Sequence, residues 1–443
     1  MNELRLKWDR VRSSLWFFPG LLTLTGMTLA MITVRIDESV NPEGRMQSLW
    51  LFSGGAEGAR GVLSAIASTT VTVAATVFSI VVVAIQLASS QFTPRVLQSI
   101  MRDRVNQITL GAFLGTFTYS LLALRSVRSG TDNEEPFIPA LSVTVAFGLA
   151  LICMALLILF IHHAARSMEA ATVISRTARE ARIVVDRVFP ADSEPSPGVI
   201  ELPSTPGASR LIAADRPGYL GAVDTGDLVQ FAHEQNLIIR LEPVIGKYLL
   251  PGALLATVWR QPVATPDGDD DAPDDDAIES KIRGMIHLYH DPGERSDLAY
   301  NVQRLADIAL KAMSPGINDP TTARLCVDRI ADVISRAGSR EPAPDRYHDD
   351  AGVPRVLWQH DPWEDIVVIA FDQVGHYSAS DLQVMLHLAF TLERICATVP
   401  EARAGALRAQ ARLVAERGEA GLATETERAQ LARATAWAFD PAA

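Results

Sequence analysis

A membrane domain of four transmembrane α-helices, followed by a cytoplasmic α+β domain with a small barrel-like module, is the fold class the sequence predicts. Three observations predict it. Four long apolar stretches lie within residues 1–163, and a bilayer crossing takes roughly 20 residues at helical rise. The charge balance then reverses: residues 1–189 carry 17 basic and 13 acidic side chains, the remainder 23 basic and 39 acidic. Beyond residue 210 the apolar runs shorten to strand length between Gly and Pro.

The spans come first in the chain. Leu15–Val34 carries no charge, Val62–Ala88 is uncharged and runs into Ser89-Ser90-Gln91 and Pro94, Ile108–Leu124 is the shortest, and Phe137–Ile161 is uncharged throughout. Cys153, in the fourth, reads as a lipid-facing or packing residue. No small-x-small cleavage site follows Val34, so the first stretch reads as a retained anchor rather than a signal peptide. Trp8, Trp16, Phe17 and Phe18 beside Arg10 and Arg12 form an interfacial belt at its start. Twelve basic residues flank the spans on the side of the N-terminus, against Arg35, Arg45, Arg60, Arg125 and Arg128 on the other. The positive-inside rule therefore predicts a bacterial inner-membrane protein with both termini in the cytoplasm.

Thr69, Thr72, Thr76, Ser79, Gln86 and Ser90 recur at helical spacing along the second span, Val83 filling the one apolar place. Two readings stand. Small and hydroxyl residues let membrane helices approach closely, and the same stripe repeated around an oligomer axis lines a wet pathway for ions. No charged residue inside a span marks a proton relay, which argues against a driven transporter.

The second half opens with a juxtamembrane helix and linker over 164–209. The adjacent His162 and His163 point in different directions on a helix, so an interfacial role outweighs metal binding. A small β-rich module is expected over 210–262, with strands at Tyr219–Val223, Leu237–Leu241 and Leu254–Trp259 and a helix from Thr225 to Asn236 capped by Thr225. Its segment Gly246-Lys-Tyr-Leu-Leu-Pro-Gly252-Ala-Leu-Leu255-Ala-Thr-Val258 resembles the signature of barrel-sandwich domains, which implies that fold and no acyl or biotin chemistry. Seven aspartates between Asp267 and Asp276 lack calcium-loop spacing, so 263–280 reads as a disordered acidic loop.

An α+β domain with a helical C-terminus is expected over 281–443. It contains a strand at Ile282–Tyr289, a helix at Asp297–Met313, a helix ending at Gly338, a further strand at Asp365–Phe371, and helices at Ser380–Val399 and from Glu401 onward. Between the first two helices stands Ser314-Pro315-Gly316-Ile317-Asn318-Asp319-Pro320-Thr321-Thr322-Ala323. Pro-Gly forces a turn, Asp319 can cap the next helix and Pro320 suits its first position. This motif, with Ser89-Ser90-Gln91-Phe92-Thr93-Pro94-Arg95, resembles the bacterial family of predicted membrane proteins called domain of unknown function 2254. The resemblance covers nearly the whole chain and implies an integral inner-membrane protein with a cytoplasmic domain, without implying an activity. Where that family has an Arg-x-x-x-Gln-Asp type approach, this chain has Glu294-Arg295-Ser296-Asp297.

The net charge of −12 argues against nucleic-acid binding, and three scattered cysteines make neither a disulfide framework nor a metal site. With no P-loop, nucleophile elbow, HExxH or dinucleotide fingerprint, no enzyme and no cofactor or metal is expected. The expected partners are the lipid bilayer, further copies of the chain and ions. Three functions stay open: an oligomeric channel or pore with a cytoplasmic regulatory domain, a non-conducting sensor or scaffold binding through Ser314, Pro315, Asn318, Asp319, Pro320 and Thr322, and a membrane-surface hydrolase using His287, His290 and Asp291.

Overall fold

A computed structural model describes residues 16–40, 52–91, 103–129, 137–167, 169–189, 209–260, 275–290, 297–341, 345–359 and 361–440. The chain divides into two compact units, residues 1–172 and 173–443.

In the first unit, α1 (Phe17–Val40), α2 (Ala56–Gln91), α3 (Arg104–Ser126) and α4 (Ala140–Ser167) are each long and apolar enough to cross a membrane. The third is as complete as the others. α3 is the central helix, packed against α1, α2 and α4. Its contact with α1 is made by glycine: a Cβ at Gly115 would lie 2.7 Å from the backbone oxygen of Leu22, and one at Gly26 would run into Gly115. Gly111-Ala-Phe-Leu-Gly115 is the small-xxx-small spacing that permits such an approach. Cys153 packs in the core, 2% exposed, its thiol 3.3 Å from the Thr116 hydroxyl.

The second unit begins with the amphipathic helix α5 (Ala170–Val188), separate from α4 rather than continuous with it from residue 164. Its apolar face buries Ile174, Ala178, Ala181 and Val185. Two sheets follow. β1 (Ser209–Ala213), β5 (Leu254–Arg260), β3 (Leu237–Leu241), β8 (Pro354–Trp358) and β7 (Arg346–His348) form one in that spatial order, with β3 and β8 parallel; β4 (Tyr248–Leu249), β2 (Gly218–Val223) and β6 (Ile286–Tyr289) form the other. The β-rich segment therefore does not close on itself at residue 262, because two strands from beyond residue 345 complete its larger sheet. Its core takes Ile278, Ile282, Met285, Val356 and Trp358 together with Ile212, Ile239 and Val258. Gly246 and Gly252 do adopt φ of 91° and 84°, the left-handed region that glycine permits at turns.

Local expectations fail where tertiary burial outranks propensity. Residues 363–377 form helix α10 (Trp363–Tyr377), not a strand at Asp365–Phe371. Its β-branched run places Ile366, Val367, Ala370, Phe371 and Val374 on one buried face, and Glu364 and Asp365 favour the first turn. The strand expected from Ile282 starts at Ile286, after α7 (Asp275–Gly284), which also takes the described end of the expected acidic loop. Residues 261–274 lie outside the described residues. Asp224, not Thr225, stands at the N-cap of α6 (Thr225–Glu234).

The remaining helices are α8 (Leu298–Ala312), α9 (Pro320–Gly338), α11 (Leu382–Cys396), α12 (Glu401–Gly421) and α13 (Glu425–Thr435). Asp297 caps α8, accepting from the Tyr300 N–H at 2.6 Å. Ion pairs tie α5 to this bundle: Glu180 to the buried Arg304 at 2.6 Å, and Asp186 to Arg336 and Arg340 at 2.8 and 2.7 Å.

Candidate functional site

The polar stripe of α2 lies on the helix face turned away from its own bundle. Thr69, Thr72, Thr76, Ser79 and Gln86 are all exposed, whereas Leu63, Ala67, Thr70, Ala74, Val77, Val81 and Ala84 are buried against neighbouring helices. The side chain of Ser90 lies outside the described residues. The threonines partly answer their own polarity: Thr72 donates to the Ser68 carbonyl at 2.8 Å and Thr76 to the Thr72 carbonyl at 3.1 Å. The Gln86 side-chain amide makes no hydrogen bond among the described residues. An amide held in hydrocarbon without a partner costs several kcal/mol, and Gln86 stands one residue before the end of the candidate span at Leu87.

A second polar assembly is buried inside the unit, and a carboxylate within a span corrects the expectation that none would be found there. Asp37, near the end of α1 and 4% exposed, accepts from the backbone N–H groups of Leu141 and Ser142 at 3.0 and 2.9 Å and from the Ser142 hydroxyl at 2.7 Å. These are the free donors of the first turn of α4, so Asp37 caps that helix from a distant part of the chain. Tyr119 extends the network, donating to the Ser142 carbonyl at 3.1 Å and standing 2.8 Å from the Thr33 hydroxyl. Near the other end of α4, Asp103 caps α3 through the Val105 N–H and holds His163 at 2.8 Å. His162 is exposed. No local sequence pattern marks the Asp37 cap, whose partners lie more than 100 residues further along the chain.

In the second unit the motif Ser314–Thr322 forms the corner between α8 and α9. Ile317 and Asn318 both return their N–H groups to the Ser314 carbonyl at 2.9 Å, and the Asp319 N–H reaches the Ala312 carbonyl at 2.8 Å. Asn318 takes φ 49°, which asparagine tolerates better than most residues. Asp319 caps α9 with both oxygens: one accepts from the Thr322 N–H at 3.0 Å, the other from its hydroxyl at 2.6 Å. Pro320 stands in the first turn. The Thr322 hydroxyl, then its N–H, hold the Asp319 carboxyl below the usual carboxylate range. Two turns along, burial pushes the Cys326 thiol up, and the Asp319 charge adds to that, leaving it inert.

The corner thus uses Asp319 and Thr322 for itself, with Ser314 donating to the Lys311 carbonyl at 2.7 Å. Pro315, Ile317 and Asn318 face outward. Asp319→Ala should lower stability by about 1 kcal/mol, the usual value of a helix cap, read as a fall in the unfolding midpoint at pH 7. An unchanged midpoint would mean that the corner is held by its turn alone.

His287, offered for hydrolysis, is paired with Asp224 at 3.0 Å; His290 is exposed and Asp291 lies outside the described residues. Among the described residues no three His, Cys, Asp or Glu side chains are grouped to hold a metal.

The family described as "Predicted membrane protein (DUF2254)" matches residues 12–394. Uncharacterized proteins from two Mycobacterium tuberculosis strains and from Mycobacterium bovis are each 29% identical over 444 residues, covering 98% of this chain and 82% of theirs. No solved structure matches the chain.

Proposed function

The chain belongs to the DUF2254 family of predicted membrane proteins, and on that footing we propose that it assembles in the bacterial inner membrane as a homo-oligomeric ion channel with a cytoplasmic regulatory domain. The supporting observation is the direction of the α2 stripe: its hydroxyls and Gln86 face out of the protomer, where lipid alone would leave the amide unpaired. Copies arranged around an axis give that face water and one another. The excess of basic residues on the N-terminal side of the spans supports cytoplasmic termini, and the acidic second half would then draw cations towards the mouth. The chain itself performs no covalent chemistry in this reading.

A second reading, a non-conducting sensor, draws on the outward tip at Ile317 and Asn318, where Ile317 is 40% exposed. In it the stripe serves only to pack copies together.

Assembly is tested by cross-linking in native membranes. Ser79→Cys should trap a covalent dimer on mild oxidation and Ala74→Cys, on the inward face, should not. Equal trapping at both positions, or at neither, would contradict assembly through this face.

A further inference from the structure

Between α9 and α11 lies an open cleft of about 530 Å³, within the size range of small-molecule sites. The charges along its α9 wall are already matched. Asp328 pairs with His387 at 2.9 Å, Asp332 with Arg182 at 3.0 Å, and Arg336 with Asp186 at 2.9 Å. The Ser335 and Thr398 hydroxyls, from residues that also line the cleft, stand 2.9 Å apart. The α11 wall is different. Thr391 and Arg394, three residues apart and so on one helix face, both line the cleft, and neither side chain has a hydrogen-bond or ion-pair partner among the described residues. Thr391 is only 4% exposed, though its hydroxyl still reaches solvent, and Arg394 is exposed.

A hydroxyl and a guanidinium converging on one space form a site for anionic oxygens. We propose that this cleft binds a small metabolite with a single anionic group, a carboxylate or a phosphate, seated on Arg394 and Thr391. Asp328 and Asp332 across the cleft disfavour a second anionic group elsewhere on the ligand and accept hydrogen bonds from its hydroxyl or amine groups. The ligand lies against both helices, so its binding steadies α9 against α11. This site is independent of the α2 stripe, and its failure would leave the conduction reading untouched.

The test is calorimetric titration of the full-length protein in detergent micelles, in buffer free of both anions, with L-lactate and glycerol 3-phosphate as probes. Saturable binding of at least one is expected, the responding probe distinguishing a carboxylate from a phosphate ligand. Arg394→Gln should weaken it at least tenfold and Thr391→Val severalfold. Glu393→Gln, an exposed neighbour that does not line the cleft, should bind as the parent does. Binding of neither probe, or equal affinity in Arg394→Gln and Glu393→Gln, would overturn the proposal.

Discussion

Asp37→Ala should destabilise the four-helix unit by about 3 kcal/mol, measured by denaturant titration in mixed micelles, because two buried donors and one half-buried donor lose their acceptor at once. The Leu141 and Ser142 N–H groups belong to the first turn of α4, and Pro139, just before it, has no side-chain oxygen to replace the carboxylate. The three bonds act as one cap, so their costs do not simply add. Asp37→Asn keeps an acceptor oxygen and should recover part of the loss. If Asp37→Ala unfolds at the parental midpoint, the cap does not hold α1 to α4.

Asp349→Ala should cost the second unit about 3–5 kcal/mol, the usual penalty for stranding a buried charge. Arg355 is 6% exposed and donates to Asp349 at 2.8 Å and to Asn236 at 3.1 Å, linking β8 to the turn before β3. The other Asp349 oxygen accepts from the N–H groups of Ala351 and Val353 at 3.1 and 2.9 Å, closing the loop between β7 and β8. Burial alone would raise this carboxyl; the hydrogen bonds from Arg355, His233 and the Val353 N–H outweigh it and hold the group well below its ordinary value. The folded-state value is depressed, so the contribution is full above about pH 5 and shrinks as pH falls from about 4. The gap in unfolding free energy between parent and Asp349→Ala should narrow with it. A gap that is constant from pH 7 to pH 3 would contradict this assignment.

What the sequence reveals follows the range of the interaction. The four spans are legible because length and apolarity are properties of one segment, and the Asp319 cap because its partner is three residues away. The parallel pairing of β3 with β8 joins residues more than 100 positions apart, and the Asp37 cap spans a similar separation, so neither leaves a local pattern. At α10 a β-branched run imitates a strand; only the packing of its buried face decides the matter. The stripe on α2 is visible as a period, but its outward direction depends on which face meets α3 and α4. The Thr391 and Arg394 pair has no sequence signal, since its meaning comes from the opposite helix.

The most direct test of the conduction reading is ion flux into proteoliposomes, comparing the parent with Thr76→Leu and Gln86→Leu after each is shown to assemble alike. The account predicts flux in the parent, and suppression of at least tenfold in both variants. Parent protein that assembles yet passes no ions across several salts and pH values would contradict it, and would leave the stripe as a packing surface between copies.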